Sequence, residues 1–302
     1  MMKSLLIIAL LMTLLGSDPA GACEPPVQRI FTLAESVPLE CNASGARTTS
    51  LKIFDVELQE RGFALARAKL RLRPTGATDI THFWNAHVVV GREQYALMNG
   101  DDICRDSPPA TRVNFGYGEL SDPQHQVAVY AYQGASPCVD GAIEVVAGST
   151  LELWIEDDEP ACRRKSIERI SYYESVDFTR TYAWQTNMSP IVLKRTYMAE
   201  AGELLIMSVV EASPELNPNT VCGEEQATIA AELRVDEVIV DENLSLLPAS
   251  QGQGHLVLDN EARQQVAEGF HLLELRVRRD FTTTPVRTGG CCGDAVLFVV
   301  KN

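Results

Sequence analysis

The sequence predicts an all-β chain: tandem antiparallel β-sandwiches of jelly-roll or Greek-key type, related by an internal duplication. Three observations carry this. Apolar residues alternate with polar ones at a period of two over many segments. No helical period of convincing length follows the first apolar stretch. Strand-like segments recur in the same order in the two halves, at offsets that grow in small steps.

The alternation is clearest in ALARAKLRL, residues 64–72. Ala64, Ala66, Ala68, Leu70 and Leu72 form one face; Arg67, Lys69, Arg71 and then Arg73 form the other. In the second half Leu204, Ile206, Ser208, Val210 and Ala212 take the inward phase, and so do His271, Leu273, Leu275 and Val277. LELWIE, from Leu151, alternates as well. Half-solvated strands of this kind belong to antiparallel sheets, and two such sheets packed face to face bury both apolar sides. One short helix is expected within DNEARQQVAEG, from Asp259, ended by Gly269.

The repeat is read from four segment pairs. ERGFALARAKLRLRP begins at Glu60 and EAGELLIMSVVEASP at Glu200, an offset of 140. AHVVV at Ala86 pairs with AELRV at Ala231, offset 145, and HQVAVYAY at His125 with HLLELRVR at His271, offset 146. CVDGAIEVV at Cys138 resembles CGDAVLFVV at Cys292, offset 154. Two superposable domains follow, with Glu60 on Glu200, His125 on His271 and Cys138 on Cys292. The expected division is a leader over 1–22, an N-terminal arm over 23–40, a first sandwich over 41–156, a charged linker over 157–165 and a second sandwich over 166–302.

The leader reads MMKS, then LLIIALLMTLL, then GSDPAGAC, which is the pattern of a secretory signal with cleavage after Ala22. It predicts a secreted, periplasmic or cell-surface protein. Cys23 at the cleavage point also fits a lipid anchor, although Ala20 stands where such anchors carry an apolar residue. No later apolar stretch is long enough to span a bilayer as a helix. The formal net charge of −15 argues against nucleic acid as a partner. Glycans, extracellular proteins and divalent cations remain.

Eight cysteines in an exported chain predict disulfide staples. They are Cys23, Cys41, Cys104, Cys138, Cys162, Cys222, Cys291 and Cys292. The repeat favours Cys104 with Cys138, Cys222 with Cys291 or Cys292, and Cys23 with Cys41; Cys162 then takes the remaining terminal cysteine. No C-x-x-C pair is present to indicate zinc or redox chemistry.

Catalytic signatures such as G-x-S-x-G, H-E-x-x-H and phosphate-binding glycine loops are missing. His125 and His271 hold matched positions in phase with apolar residues, which predicts rings bonded to backbone carbonyls rather than metal ligands. Asn99, Asp101 and Asp102 bend around Gly100 and form the best calcium candidate. The basic stripe Arg67, Lys69, Arg71 and Arg73 either meets an anionic ligand or pairs with carboxylates on a neighbouring strand or on the second domain. Trp84, Tyr130, Tyr132 and Trp154 are the aromatic candidates for stacking on sugars. The reading that results is a non-catalytic binding module with carbohydrate as the first ligand class. A carboxylate-dependent, glycosidase-like hydrolase and a structural or adhesion protein with a protein partner stay open.

Overall fold

The computed structural model describes residues 25–40, 51–75, 84–96, 110–120, 126–133, 143–157, 167–174, 191–214, 226–248, 256–280, 286–288 and 295–301. Every regular element among them is a strand. The first half holds β1 (Val27–Thr32), β2 (Val37–Pro38), β3 (Leu51–Glu57), β4 (Gly62–Pro74), β5 (Trp84–Val90), β6 (Glu93–Ala96), β7 (Ala110–Leu120), β8 (Gln126–Gln133), β9 (Ile143–Val145) and β10 (Thr150–Asp157). The second half holds β11 (Ile167–Glu174), β12 (Ile191–Ala199), β13 (Gly202–Pro214), β14 (Gln226–Val235), β15 (Val238–Pro248), β16 (Leu256–Val266), β17 (Gly269–Asp280), β18 (Val286–Thr288) and β19 (Ala295–Lys301).

Each half forms two antiparallel sheets. In the first, one sheet runs β1-β10-β4, with β7 on the far edge of β4, and the other runs β3-β8-β5-β6. In the second, the sheets run β11-β19-β13-β16 and β12-β17-β14-β15. Replacing β1, β10, β4, β7 and β3, β8, β5, β6 by β11, β19, β13, β16 and β12, β17, β14, β15 gives the second pair in the same order, while β2, paired with β9 beyond the end of β4, has no counterpart among the described strands. Strands distant in sequence lie side by side, as in the double Greek keys of jelly rolls.

The register confirms the duplication residue by residue. Gly62 faces Leu120 and Ala64 faces Ile155; Gly202 faces Val266 and Leu204 faces Lys301. Val90 faces Val127, and Val235 faces Leu273. The offsets read for the Glu60, Ala86 and His125 segments are therefore those of the fold. The cysteine segments are a correction. β9 within CVDGAIEVV pairs with the end of β4, and the strand doing this in the second half is β18, since Leu72 faces Val145 and Ala212 faces Thr288. AVLFVV is β19, the counterpart of β10. Similar apolar runs on neighbouring strands produced the mismatch.

Further differences concern the ends of the first sandwich and the expected helix. β1, assigned from sequence to an N-terminal arm, lies against β10 over its whole length and belongs to the first sandwich. Residues 259–266 form part of β16, paired with β13 from Leu256 to Val266. Asn260 and Ala262 are buried there while Glu261 and Arg263 are exposed, so pairing and alternation override the helical propensity of Glu, Ala and Gln.

The prediction of disulfide staples in a signal-bearing, exported chain is also corrected. No disulfide is present among the described residues, and both sandwiches are closed by strand pairing and apolar packing. All eight cysteines and the leader lie outside the described residues, so nothing in the structure supports signal or secretion. No helix among the described residues is long and apolar enough to cross a membrane.

Three cores hold the molecule. One lies between the sheets of the first half and includes Leu70, Leu72, Val88, Val129 and Leu153. Another lies between those of the second half and includes Ile206, Leu233, Leu275 and Val299. A third joins the halves: Leu65, Val113, Phe115 and Trp154 from the first meet Leu205, Met207, Val209 and Phe298 from the second. The sheets containing β4 and β13 are thus buried on both faces in this region. The sheets containing β8 and β17 keep one outward face each.

Candidate functional site

The cations of the junction come from the outward phase of β4, and carboxylates of β10 and β16 meet them. Arg67 is 1% exposed, and its guanidinium lies 5.3 Å from the Trp154 ring centroid. Its Nη2 donates to Glu152 on β10 and, at 2.6 Å, to Glu261 on β16 of the other half. Lys69 sits 3.0 Å from Asp259 and 3.9 Å from Glu261. Arg73 pairs with Glu144 on β9. Arg71 is exposed, and its backbone amide donates to the Ser149 hydroxyl at 2.9 Å. Three members of the basic stripe thus meet carboxylates, two of them across the domain junction. Trp154, 1% exposed, is enclosed in the same layer and has no open face for a sugar.

The outward face of β3-β8-β5-β6 is different. Backbone register places Lys52 opposite Tyr130, and Tyr130 opposite His87. The Tyr130 and His87 rings stack, with centroids 4.8 Å apart and planes 18° from parallel. On the other side of Tyr130, the Lys52 ammonium lies 5.7 Å from the ring centroid. Asp55 accepts from Lys52 at 2.8 Å and also from Gln126. Tyr132 is half-buried two residues further along β8. Trp84 opens β5, where it faces Gln133 in the ladder.

Electrostatics follow from these contacts. The hydrogen bond to Asp55 holds the Lys52 ammonium above its ordinary pKa, and the bonds from Lys52 and Gln126 hold Asp55 below the usual carboxylate value. Partial burial pushes the His87 pKa down, so the ring is neutral at neutral pH. Burial also pushes the Tyr132 hydroxyl up. The row therefore presents a carboxylate, an ammonium, a phenol and a neutral imidazole side by side on three adjacent strands.

The matching face of the second half is built on buried carboxylates held by cations. Glu274, 1% exposed, is held by Lys194 at 2.9 Å and by Arg276 at 2.7 Å. Glu232 is held by Arg234 at 2.6 Å. Tyr130 and Tyr132 were readable as outward residues because β8 alternates cleanly. Lys52 and His87 were not, because only the cross-strand register brings them to Tyr130. The acidic partners at the junction escape a sequence reading for a related reason: Asp259 and Glu261 lie in the segment expected to be helix. The proposed calcium ligands Asn99, Asp101 and Asp102, like His125, lie outside the described residues, among which no group of metal-ligating side chains gathers. His271 does bond a backbone carbonyl, that of Ala267, at 2.9 Å.

No protein-family model matches the chain, and no curated protein does either. Among solved structures it is similar to PNGF-II, at 7% identity and a TM-score of 0.37, covering 92% of this chain and 64% of that one. It is also similar to PNGase F, a glycosylasparaginase from Flavobacterium meningosepticum, at 7% identity and a TM-score of 0.39, covering 91% and 96%. A third is the structure of infectious bursal disease virus Gt strain, at 12% identity and a TM-score of 0.33, covering 98% and 78%. Likeness at this level transfers no residue and no activity. Sandwiches of this kind serve both binding proteins and hydrolases, so the fold is consistent with either role and selects neither.

Proposed function

We propose that the protein is a binding module that takes a carbohydrate chain on the outward face of β3-β8-β5-β6. The observation that supports this is the row Asp55, Lys52, Tyr130 and His87. Adjacent strands set Lys52, Tyr130 and His87 about 4.8 Å apart, and Asp55 stands beside Lys52 on β3. A sugar hydroxyl both donates and accepts, and this row supplies a pure acceptor, a pure donor and two groups that do both. His87 stacks on the Tyr130 ring, and the Lys52 ammonium lies 5.7 Å from its centroid. Recognition therefore works through ring edges and polar tips, not through stacking on that ring. The test is a glycan-array screen of the whole chain. Binding should fall at least fivefold in Tyr130→Ala and His87→Ala, and stay unchanged in Met198→Ala on the other half. Binding to no glycan, or equal binding by all variants, refutes the reading.

A second reading, a carboxylate-dependent hydrolase acting on glycans, has one observation in its favour. Glu152 and Glu261 approach the same Arg67 nitrogen from the two halves, so two carboxylates face each other at the domain junction. Glycoside hydrolysis uses two carboxylates set across a scissile bond, a place that the Arg67 guanidinium fills here. Turnover of a bound glycan that is lost in Glu152→Gln and Glu261→Gln, with binding retained, would favour this reading. A bound glycan that stays intact would favour the first.

A further inference from the structure

We propose that His271, carrying two ring protons, is a pH-operated latch that ties together the two turns at one end of the second sandwich. The inference is independent of the proposed glycan site, which lies on the other half. Nδ1 of His271 is 2.7 Å from the Asp236 carboxylate, and Nε2 is 2.9 Å from the Ala267 carbonyl oxygen. Both partners only accept, and a neutral imidazole has one N–H to give. The arrangement is complete only as the imidazolium. Asp236 belongs to the β14–β15 turn and Ala267 to the β16–β17 turn, so the ring bridges the two turns, while Asp236 is also tied to Leu272 of β17 by the Asp236 N–H to Leu272 carbonyl bond, at 2.8 Å.

The turn that the latch holds is strained. Val235 faces Val238, leaving Asp236 and Glu237 as the central pair, with φ of 50° and 70°. Tight hairpins need positive φ at these places and normally use Asn or Gly. The first half builds the equivalent turn with Gly91, at φ 59°, whose N–H donates to Gln126. The second half accepts a side chain there, and that carboxylate is used: one oxygen takes the Leu272 N–H at 2.8 Å and the other takes His271. Left-handed residues without glycine persist only when their surroundings hold them.

Other titratable groups stand on the neighbouring elements. On β12, Tyr197 stands opposite His271 in the ladder, with a buried hydroxyl that finds no hydrogen-bond partner among the described residues. Glu200, just past β12, and Glu168, on β11, both act on that tyrosine. Glu237 sits in the facing turn and Glu268 in the ring's own turn. The bonds to Asp236 and to the Ala267 carbonyl hold the His271 pKa above its ordinary value, and the same contacts hold Asp236 below the carboxylate norm. A raised histidine pKa contributes stability in full below the unfolded value of about 6.5, and loses it as pH rises through the folded value. The latch is therefore closed in mild acid and opens toward alkaline pH.

The experiment follows the His271 ring by NMR in the full chain, together with exchange of the Leu272 and Val238 amides, from about pH 5 to 9, a range that spans the ordinary histidine pKa. The ring should titrate above about 6.5, and protection of the two amides, corrected for intrinsic exchange, should drop at least fivefold across that transition. In His271→Gln the drop should vanish. In Asp236→Asn the ring should return to the ordinary histidine range, a readout that survives if the first variant folds poorly. Titration of His271 at or below about 6.5, or amide protection that ignores pH in the native chain, overturns the proposal.

Discussion

Replacing Arg67 by Ala tests whether the junction is locked by charge as well as by apolar packing. The native guanidinium is almost fully buried, and its side chain separates Glu152, 13% exposed, from Glu261, 37% exposed. Removing it leaves one nearly buried carboxylate without this partner and a second with Lys69 at 3.9 Å. Breaking a buried pair in this way costs about 3–5 kcal/mol. The retained Lys69 contact and the exposure of Glu261 put the expectation at the lower end, about 3 kcal/mol. Nε and Nη1 of Arg67 find no hydrogen-bond partner among the described residues, so the native arrangement is itself costly to bury. The triple variant Arg67→Met, Glu152→Gln, Glu261→Gln should therefore be more stable than Arg67→Ala alone. Urea unfolding at constant m-value reads both, and in a chain of this size about 3 kcal/mol corresponds to a Tm change of roughly 5 °C. A loss under about 1 kcal/mol in Arg67→Ala, or a triple variant no better than it, would refute the assignment of Arg67 as the electrostatic lock.

Phe298→Ala should cost about 3–5 kcal/mol, because that ring is buried in the junction against Phe115 and Tyr117; thermal unfolding measures it. Gly118→Ala should destabilise by about 1–3 kcal/mol, since an added Cβ would lie 2.9 Å from the Val90 carbonyl oxygen and backbone cannot move aside cheaply. Glu274 has its pKa held down by the bonds from Lys194 and Arg276 against the opposing effect of burial, so it contributes stability above its ordinary value of 4.5 that fades as pH falls through the folded value. Acid unfolding of Glu274→Gln should accordingly show a shallower pH dependence than the native chain.

The frame of this fold was legible because it is written in short-range patterns. Alternation marks β4, β8 and β13, and the matched Gly62–Pro74 and Gly202–Pro214 segments expose the duplication. What was not legible is everything set by register between distant strands. Tyr130 was readable as outward, yet its neighbours Lys52 and His87 come from strands far from it in sequence. Trp154 lies in the phase of β10 that leaves the first sandwich, but outward from one sandwich means inward to the junction. Asp259 and Glu261 were hidden by a local composition that favours helix, a preference that eleven paired residues of β13 overrule. The Cys138 and Cys292 segments misled because an apolar run after a cysteine identifies a strand without identifying which one.

The burial of the junction decides where function has room to act. Each half began from the same frame, and the outward positions of β4 and β13 have since diverged in complementary ways. β4 offers Leu65, Arg67 and Lys69; β13 offers Leu205, Met207 and Val209, and its neighbour β16 supplies Asp259 and Glu261. Arg67 pairs with Phe115 in its own ladder, and Met207 with Glu261, so Glu261 stands where the first half has Phe115. Divergence at that position supplies the carboxylate that Arg67 meets across the junction. The cost is that these sheets are committed to each other. Ligand recognition on a sheet surface is then left to β3-β8-β5-β6 and β12-β17-β14-β15. In the second of these, Glu274 and Glu232 are already neutralised by Lys194, Arg276 and Arg234 on their own sheet. In the first, the row from Asp55 to His87 mixes charged, phenolic and imidazole groups with half-buried rings, so it is the surface on which a substitution should change binding without changing the fold.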